Sequence, residues 1–170
     1  MPVLLIQGSK NFNPEKDTTM TDWVAANAKA ARSAKWATTM TKWLIAKNKG
    51  RTTWQIVSFC GPNGCESVGI VDLLAIRKDH NLPSKPGLKR GDLLELVLIQ
   101  VKGGGAAWPS HEELLRLRKV ARHYRAKHVV LAAWKKGKQP TFYRMKRTLA
   151  KDAHQNDAWV ELTAISKVFS

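Results

Sequence analysis

Apolar positions follow one rhythm in the first third of the chain and another in the middle. Up to Gly50 the spacing is helical. Trp36, Met40, Trp43 and Leu44 recur on one side of a helix, which predicts a buried face there. Thr21 or Asp22 can cap its start, and alanine is dense from residue 25 to 37. Lys42, Lys47 and Lys49 suit the negative end of the dipole, and Gly50 suits a stop. Residues 30–33 are a point at which this stretch can divide into two helices. Residues 1–19 hold Gly8, Ser9, Asn11, Asn13 and Pro14 and read as irregular, with residues 4–6 as an optional short edge strand.

Beyond Gly50 the runs shorten to strand length. Residues 54–60, 68–77 and 92–102 read as three strands. The turn Gly61-Pro62-Asn63-Gly64 joins the first two, and a polar loop over residues 78–91 joins the next, so an antiparallel meander is expected. After Gly103-Gly104-Gly105, Ser110 and Glu113 match a capping box. The helix they open carries Leu114, Leu117, Val120, Ala121 and Tyr124 as its apolar stripe, with Arg118, Arg122 and Arg125 on the flank. Residues 129–134 are almost wholly apolar, as in a strand covered on both faces. A turn at Lys135-Lys136-Gly137-Lys138 leads to a strand over residues 141–145. The tail over residues 157–169 reads equally as strand or helix. No internal repeat or low-complexity segment is visible. The order helix, three strands, helix, strand predicts an α/β domain over residues 20–170, a mixed central sheet flanked by helices.

Charge changes this picture most. The 170 residues hold 29 Lys plus Arg against 13 Asp plus Glu, a net charge of 29 − 13 = +16. Such an excess favours a polyanion partner, nucleic acid first. A membrane partner is not expected, since no apolar run spans a bilayer and the start of the chain lacks the basic lead of a signal peptide. Cys60 and Cys65 are too few for a disulfide framework or a four-ligand zinc site, so a reducing, cytoplasmic setting is the default.

The chemistry concentrates between Glu66 and Lys102. Asp72 interrupts Ile70-Val71 and Leu73-Leu74, where a structural strand favours another apolar residue. Gln100 and Lys102 end the next strand. Two apart, they leave the same face, which Leu94, Leu96 and Leu98 share, while Glu95 faces the other way. This Asp…Gln-x-Lys pattern resembles the PD-(D/E)XK nuclease superfamily in a Gln-x-Lys variant. Holliday-junction resolvases and Mrr-like restriction nucleases are the nearest groups.

The resemblance implies a restriction-endonuclease-like αβββαβ core over roughly residues 20–145. It implies Mg2+, with Mn2+ as a substitute, and hydrolysis of DNA phosphodiester bonds. Asp72 stands at the Asp of the motif, with Val71 in place of the proline, and Lys102 at the catalytic lysine. Gln100 replaces an acid, and the Val101 carbonyl is a metal ligand in this pattern. Glu66 is preferred to Asp22 as the second acid, so the expected ligands are Asp72, Glu66, Gln100 and Val101. A homodimer is the corresponding expectation for cutting two strands.

The expected DNA contacts are Lys78, Lys89 and Arg90 between the motif strands, Gly103 and Gly104 after them, Arg118 and Arg122 on the second helix, and Lys135 and Lys136 beyond it. Trp108 is a candidate to stack on a base, and His111 lies close by. Spread charge without a recognition-helix motif predicts backbone contacts, hence structure-selective or weakly selective binding. Two other readings stand beside this one. They are a non-catalytic nucleic-acid binder on the same fold and an unrelated basic RNA-binding protein.

Overall fold

The computed structural model describes residues 14–48, 53–59, 69–148 and 155–170. In chain order these form α1 (Pro14–Lys47), β1 (Gln55–Ser58), β2 (Leu73–Lys78), β3 (Leu94–Gly103), α2 (His111–His123), β4 (His128–Trp134) and β5 (Thr141–Met145). A 3-10 turn (Gln155–Ala158), β6 (Trp159–Glu161) and α3 (Ser166–Phe169) follow. The six strands make one sheet in sequence order. β1, β2 and β3 form the expected antiparallel meander. β4 joins β3 in parallel, with Val97 opposite His128 and Gly103 opposite Trp134. β5 and β6 then add antiparallel. A parallel neighbour needs a crossover, and α2 supplies it. The architecture is therefore α/β, a mixed sheet between helices.

Strand alternation divides the core in two. Val97, Ile99, Val130, Ala132 and Leu73 face α1 and α3, where Ile45, Trp54, Val168 and Phe169 close over them. Leu98, Leu131 and Val129 face α2, where Leu114 and Leu117 meet them. β4 is covered on both sides, which accounts for its unbroken apolar run. The open tail resolves into both alternatives, β6 and then α3. Trp54 Nε1 donates to the Phe169 carbonyl (3.1 Å), and the two rings meet edge to face at 5.6 Å.

Three expectations about the first helix need correction. It begins at Pro14, so residues 14–19 are helical and not irregular. Proline starts helices readily because the first turn has no use for its missing N–H. The helix is continuous through residues 30–33. Its buried face is Ala37, Thr41 and Ile45, whereas Trp36 and Trp43 are exposed. The sheet selects small residues there because β3 approaches closely. A Cβ on Gly103 would lie 2.7 Å from the Ser33 carbonyl oxygen and 3.0 Å from the Ala37 Cβ. The expected edge strand at residues 4–6, the turn at residues 61–64, Cys60, Cys65 and Glu66 lie outside the described residues.

A candidate active site at the end of the β2–β3 pair

Asp72 sits one residue before β2 but is already tied into the sheet. Its N–H donates to the Ile99 carbonyl (3.0 Å), and its own carbonyl accepts from the Phe59 N–H (3.0 Å). The β2–β3 register ends with Leu73 opposite Ile99, and Asp72 bonds to Ile99 as well, so residues 72 and 73 both meet that one residue of β3. Leu98 packs on the α2 side, and alternation along β3 carries Gln100 and Lys102 to that side. Val71 and Leu74 both pack there as well, so strict alternation does not continue from β2 through residue 72. Asp72 and the Gln100–Lys102 segment thus lie at the same end of two adjacent strands.

Each has a defined setting. The Val101 N–H donates to Asp72 Oδ2 at 2.6 Å, a short charge-assisted bond that fixes the carboxylate. A carboxylate offers about four acceptor positions, so one N–H does not exhaust it. Gln100 is only 5 % exposed, and its Oε1 has no hydrogen-bond partner among the described residues. An orphaned buried acceptor costs about 1–3 kcal/mol, so this oxygen calls for a function. Lys102 is mostly buried, and its Nζ lies 3.9 Å from Glu113 Oε1. Val101, expected to contribute its carbonyl, meets Asp72 through its N–H.

Glu113 is the residue whose place in the site was not anticipated. Its Oε2 accepts from the Ser110 N–H (2.7 Å), and the Ser110 hydroxyl accepts from the Glu113 N–H (3.2 Å), completing the capping box. The same carboxylate therefore starts α2 and steadies Lys102. Its signal was the capping box lying just after the crossover from β3.

The other expected contacts divide between two ends of the sheet. Lys135 and Lys136 follow Trp134, which pairs with Gly103, so they lie at the end that holds Lys102. Lys78 pairs with Leu94 at the other end, and the loop carrying Lys89 and Arg90 begins there. β3 rises roughly 27 Å from Leu94 to Lys102. Arg118 and Arg122 lie towards the C-terminal half of α2, away from Glu113. Gly103 and Gly104 turn towards Ser33 of α1, so the bare Gly103 backbone serves close packing. Trp108 is half-buried, edge to face with Tyr143 at 4.8 Å. His111 is exposed at the start of α2.

On the opposite face, Glu95 is buried and accepts from Arg77 Nε (2.6 Å) and from Lys127 Nζ. Burial pushes its carboxyl up, but hydrogen bonds from Lys127 and Arg77 outweigh this and hold it below its ordinary value. Arg77 also stacks over Trp54, 4.3 Å from the ring centroid. This cluster joins β2, β3 and the turn that leads into β4.

Among the described residues, no group of three or more His, Cys, Asp or Glu side chains stands ready for a metal. What Asp72 and Gln100 offer is one carboxylate and one amide oxygen. That donor set fits a hard cation of the Mg2+ type, which binds through one or two carboxylates and completes its shell with water and phosphate. No helix among the described residues is long and apolar enough to cross a membrane. No protein-family model matches the chain, and no curated protein or solved structure matches it either.

Proposed function

We propose that this chain is a metal-dependent DNA endonuclease built on a restriction-endonuclease-like core, hydrolysing phosphodiester bonds. The observation that carries the reading is the hydrogen bond from the Val101 N–H to Asp72, which brings the carboxylate beside the Gln100-x-Lys102 segment of the adjacent strand. The element order, a helix, a three-strand meander, a crossover helix and a parallel strand, agrees with it. So does the net charge of +16, suited to a polyanionic substrate.

In this reading Asp72 and Gln100 Oε1 hold the cation, and Val101 orients Asp72. Mg2+ bound there would polarise a phosphoryl oxygen and lower the pKa of a water. Gln100 brings no charge, so the site relies on Asp72 and the substrate phosphate, with Glu66 as the further acid of the sequence pattern. Lys102, steadied by Glu113, places its ammonium where negative charge grows on the phosphoryl group. Glu113 acts as a positioning residue.

The test is nicking of supercoiled plasmid and of branched DNA in Mg2+ or Mn2+, with EDTA as the blank. Lys102→Ala should lower turnover about 100-fold or more, the usual scale for losing one such donor, while DNA binding persists. Unchanged turnover would overturn the assignment. The neutral Gln100 favours one other reading, a DNA-binding protein that has lost cleavage. Binding without cutting in either metal decides for that reading.

A further inference from the structure

A groove of about 780 Å³ opens at the far end of α2 from Glu113. Arg118, Arg122 and Arg125 line it from α2 and the turn that follows. Lys127 and His128 line it where β4 begins, and Arg144, Lys146 and Arg147 where β5 ends. Ala126, Val129 and Val160 contribute apolar surface, and no acidic side chain among the described residues lines the groove. From the level of His128, opposite Val97, to the level of Lys102 the strand rises roughly 17 Å. The groove and the Asp72 site are therefore separate places. We infer that this groove is a second polyanion site, which grips the sugar–phosphate backbone of a nucleic acid apart from the strand presented to Asp72 and Lys102.

Three features separate it from a merely solvated basic surface. Lys127 is paired with Glu95, which leaves six Lys and Arg side chains, and the helix C-terminus, with about half a negative charge, can account for one of them but not for six. Like charges brought together from separate elements repel, and an unpaired cluster persists at a cost in stability unless an anion relieves it. The second feature is Arg118. Its Nε is buried without a partner among the described residues, while its NH2 donates to the Lys146 carbonyl (3.0 Å) and so ties α2 to the segment after β5. The third is Arg125, held at φ 52°, a left-handed conformation in which glycine or asparagine is the cheaper choice. Alternating apolar floor and cationic wall suits a backbone in which sugars separate phosphates.

His128 reports on occupancy. Burial, then Arg144, Lys127 and Arg147, lower its pKa, and Glu95 opposes them weakly. A phosphate among those cations would favour the imidazolium and raise the pKa.

The inference rests on the nucleic-acid reading for its ligand class but not on the catalytic assignment. Its test is fluorescence anisotropy of a labelled DNA duplex across a salt series. The comparison sets Arg122→Ala/Arg125→Ala/Arg144→Ala against a charge-matched control on α1, Lys29→Ala/Arg32→Ala/Lys35→Ala. The groove variant should lose about tenfold or more in affinity, and its salt slope should fall by about 2–3, near 0.9 for each phosphate no longer neutralised. The control should change neither. Equal losses in both would mean net charge alone and would overturn the site, as would no loss in the groove variant. Arg→Lys at the same three positions should keep most of the slope, which separates lost charge from lost fold. DNA should raise the His128 pKa followed by NMR in the wild-type chain; an unmoved His128 contradicts the inference. Competition by polyglutamate as strong as that by DNA would make this an acidic-protein site and overturn it. A groove variant that binds normally while Lys102→Ala stops cleavage removes this inference alone. The converse pair of results removes only the catalytic assignment.

Discussion

Glu95 and Gln100 stand on opposite faces of one strand, and they call for opposite expectations. Glu95 is buried between two cations, so removing its charge deprives both Arg77 and Lys127 of their shared carboxylate. Glu95→Ala should cost about 3 kcal/mol at neutral pH, measured by urea unfolding. Its carboxyl is held below the ordinary value when folded. The stabilisation is therefore present above the unfolded pKa of about 4.3 and is lost as pH falls through the lower folded value. The gap between wild type and Glu95→Ala should close only in acid; a gap constant down to strong acid contradicts the ion-pair account. Gln100 is the reverse case, because its orphaned oxygen is a liability to folding. Gln100→Leu should leave stability unchanged or raise it by about 1 kcal/mol, while abolishing cleavage. A marked drop in melting temperature would assign Gln100 to structure instead. The common face of Gln100 and Lys102 was legible because alternation along a regular strand fixes faces from sequence alone. The Glu95 cluster was not, because Lys127 reaches it from the turn before β4, after a long crossover.

Helix faces are harder to read than strand faces when the partner is unusual. The tryptophans of α1 mark an apolar stripe at helical spacing, yet the helix buries Ala37, Thr41 and Ile45. Gly103 explains part of this, since a bare backbone at the end of β3 lets α1 come close at Ser33 and Ala37, where a large side chain has no room. Such an approach cannot be inferred until two distant segments are known to touch. Gly103→Ala should force α1 away from β3 and destabilise the fold by about 1–3 kcal/mol, the usual cost of overpacking. Gly105→Ala, with open space around it, should change stability far less. Equal unfolding midpoints for the two variants would contradict this packing. α2 was the easy element, because its start is written locally in Ser110 and Glu113.

At the scale of the whole molecule, positive charge gathers at both ends of the sheet. Lys102, Lys135 and Lys136 share one end with Asp72, while Lys78 and the α2 groove lie towards the other. The charge excess was plain in composition, but its division into two places depends on register and crossover, which only the fold supplies. DNA affinity should fall steeply with salt, by about 10³ or more between 50 and 200 mM if six or more phosphates are engaged; a flat salt profile contradicts a backbone-binding surface. The site itself is tested most directly by Mn2+ binding, followed by loss of the free-ion paramagnetic resonance signal in wild type and Asp72→Asn. The proposal predicts one bound Mn2+ in the wild-type chain and none in Asp72→Asn at equal fold stability. Equal binding by the two chains, or none by either, would contradict it.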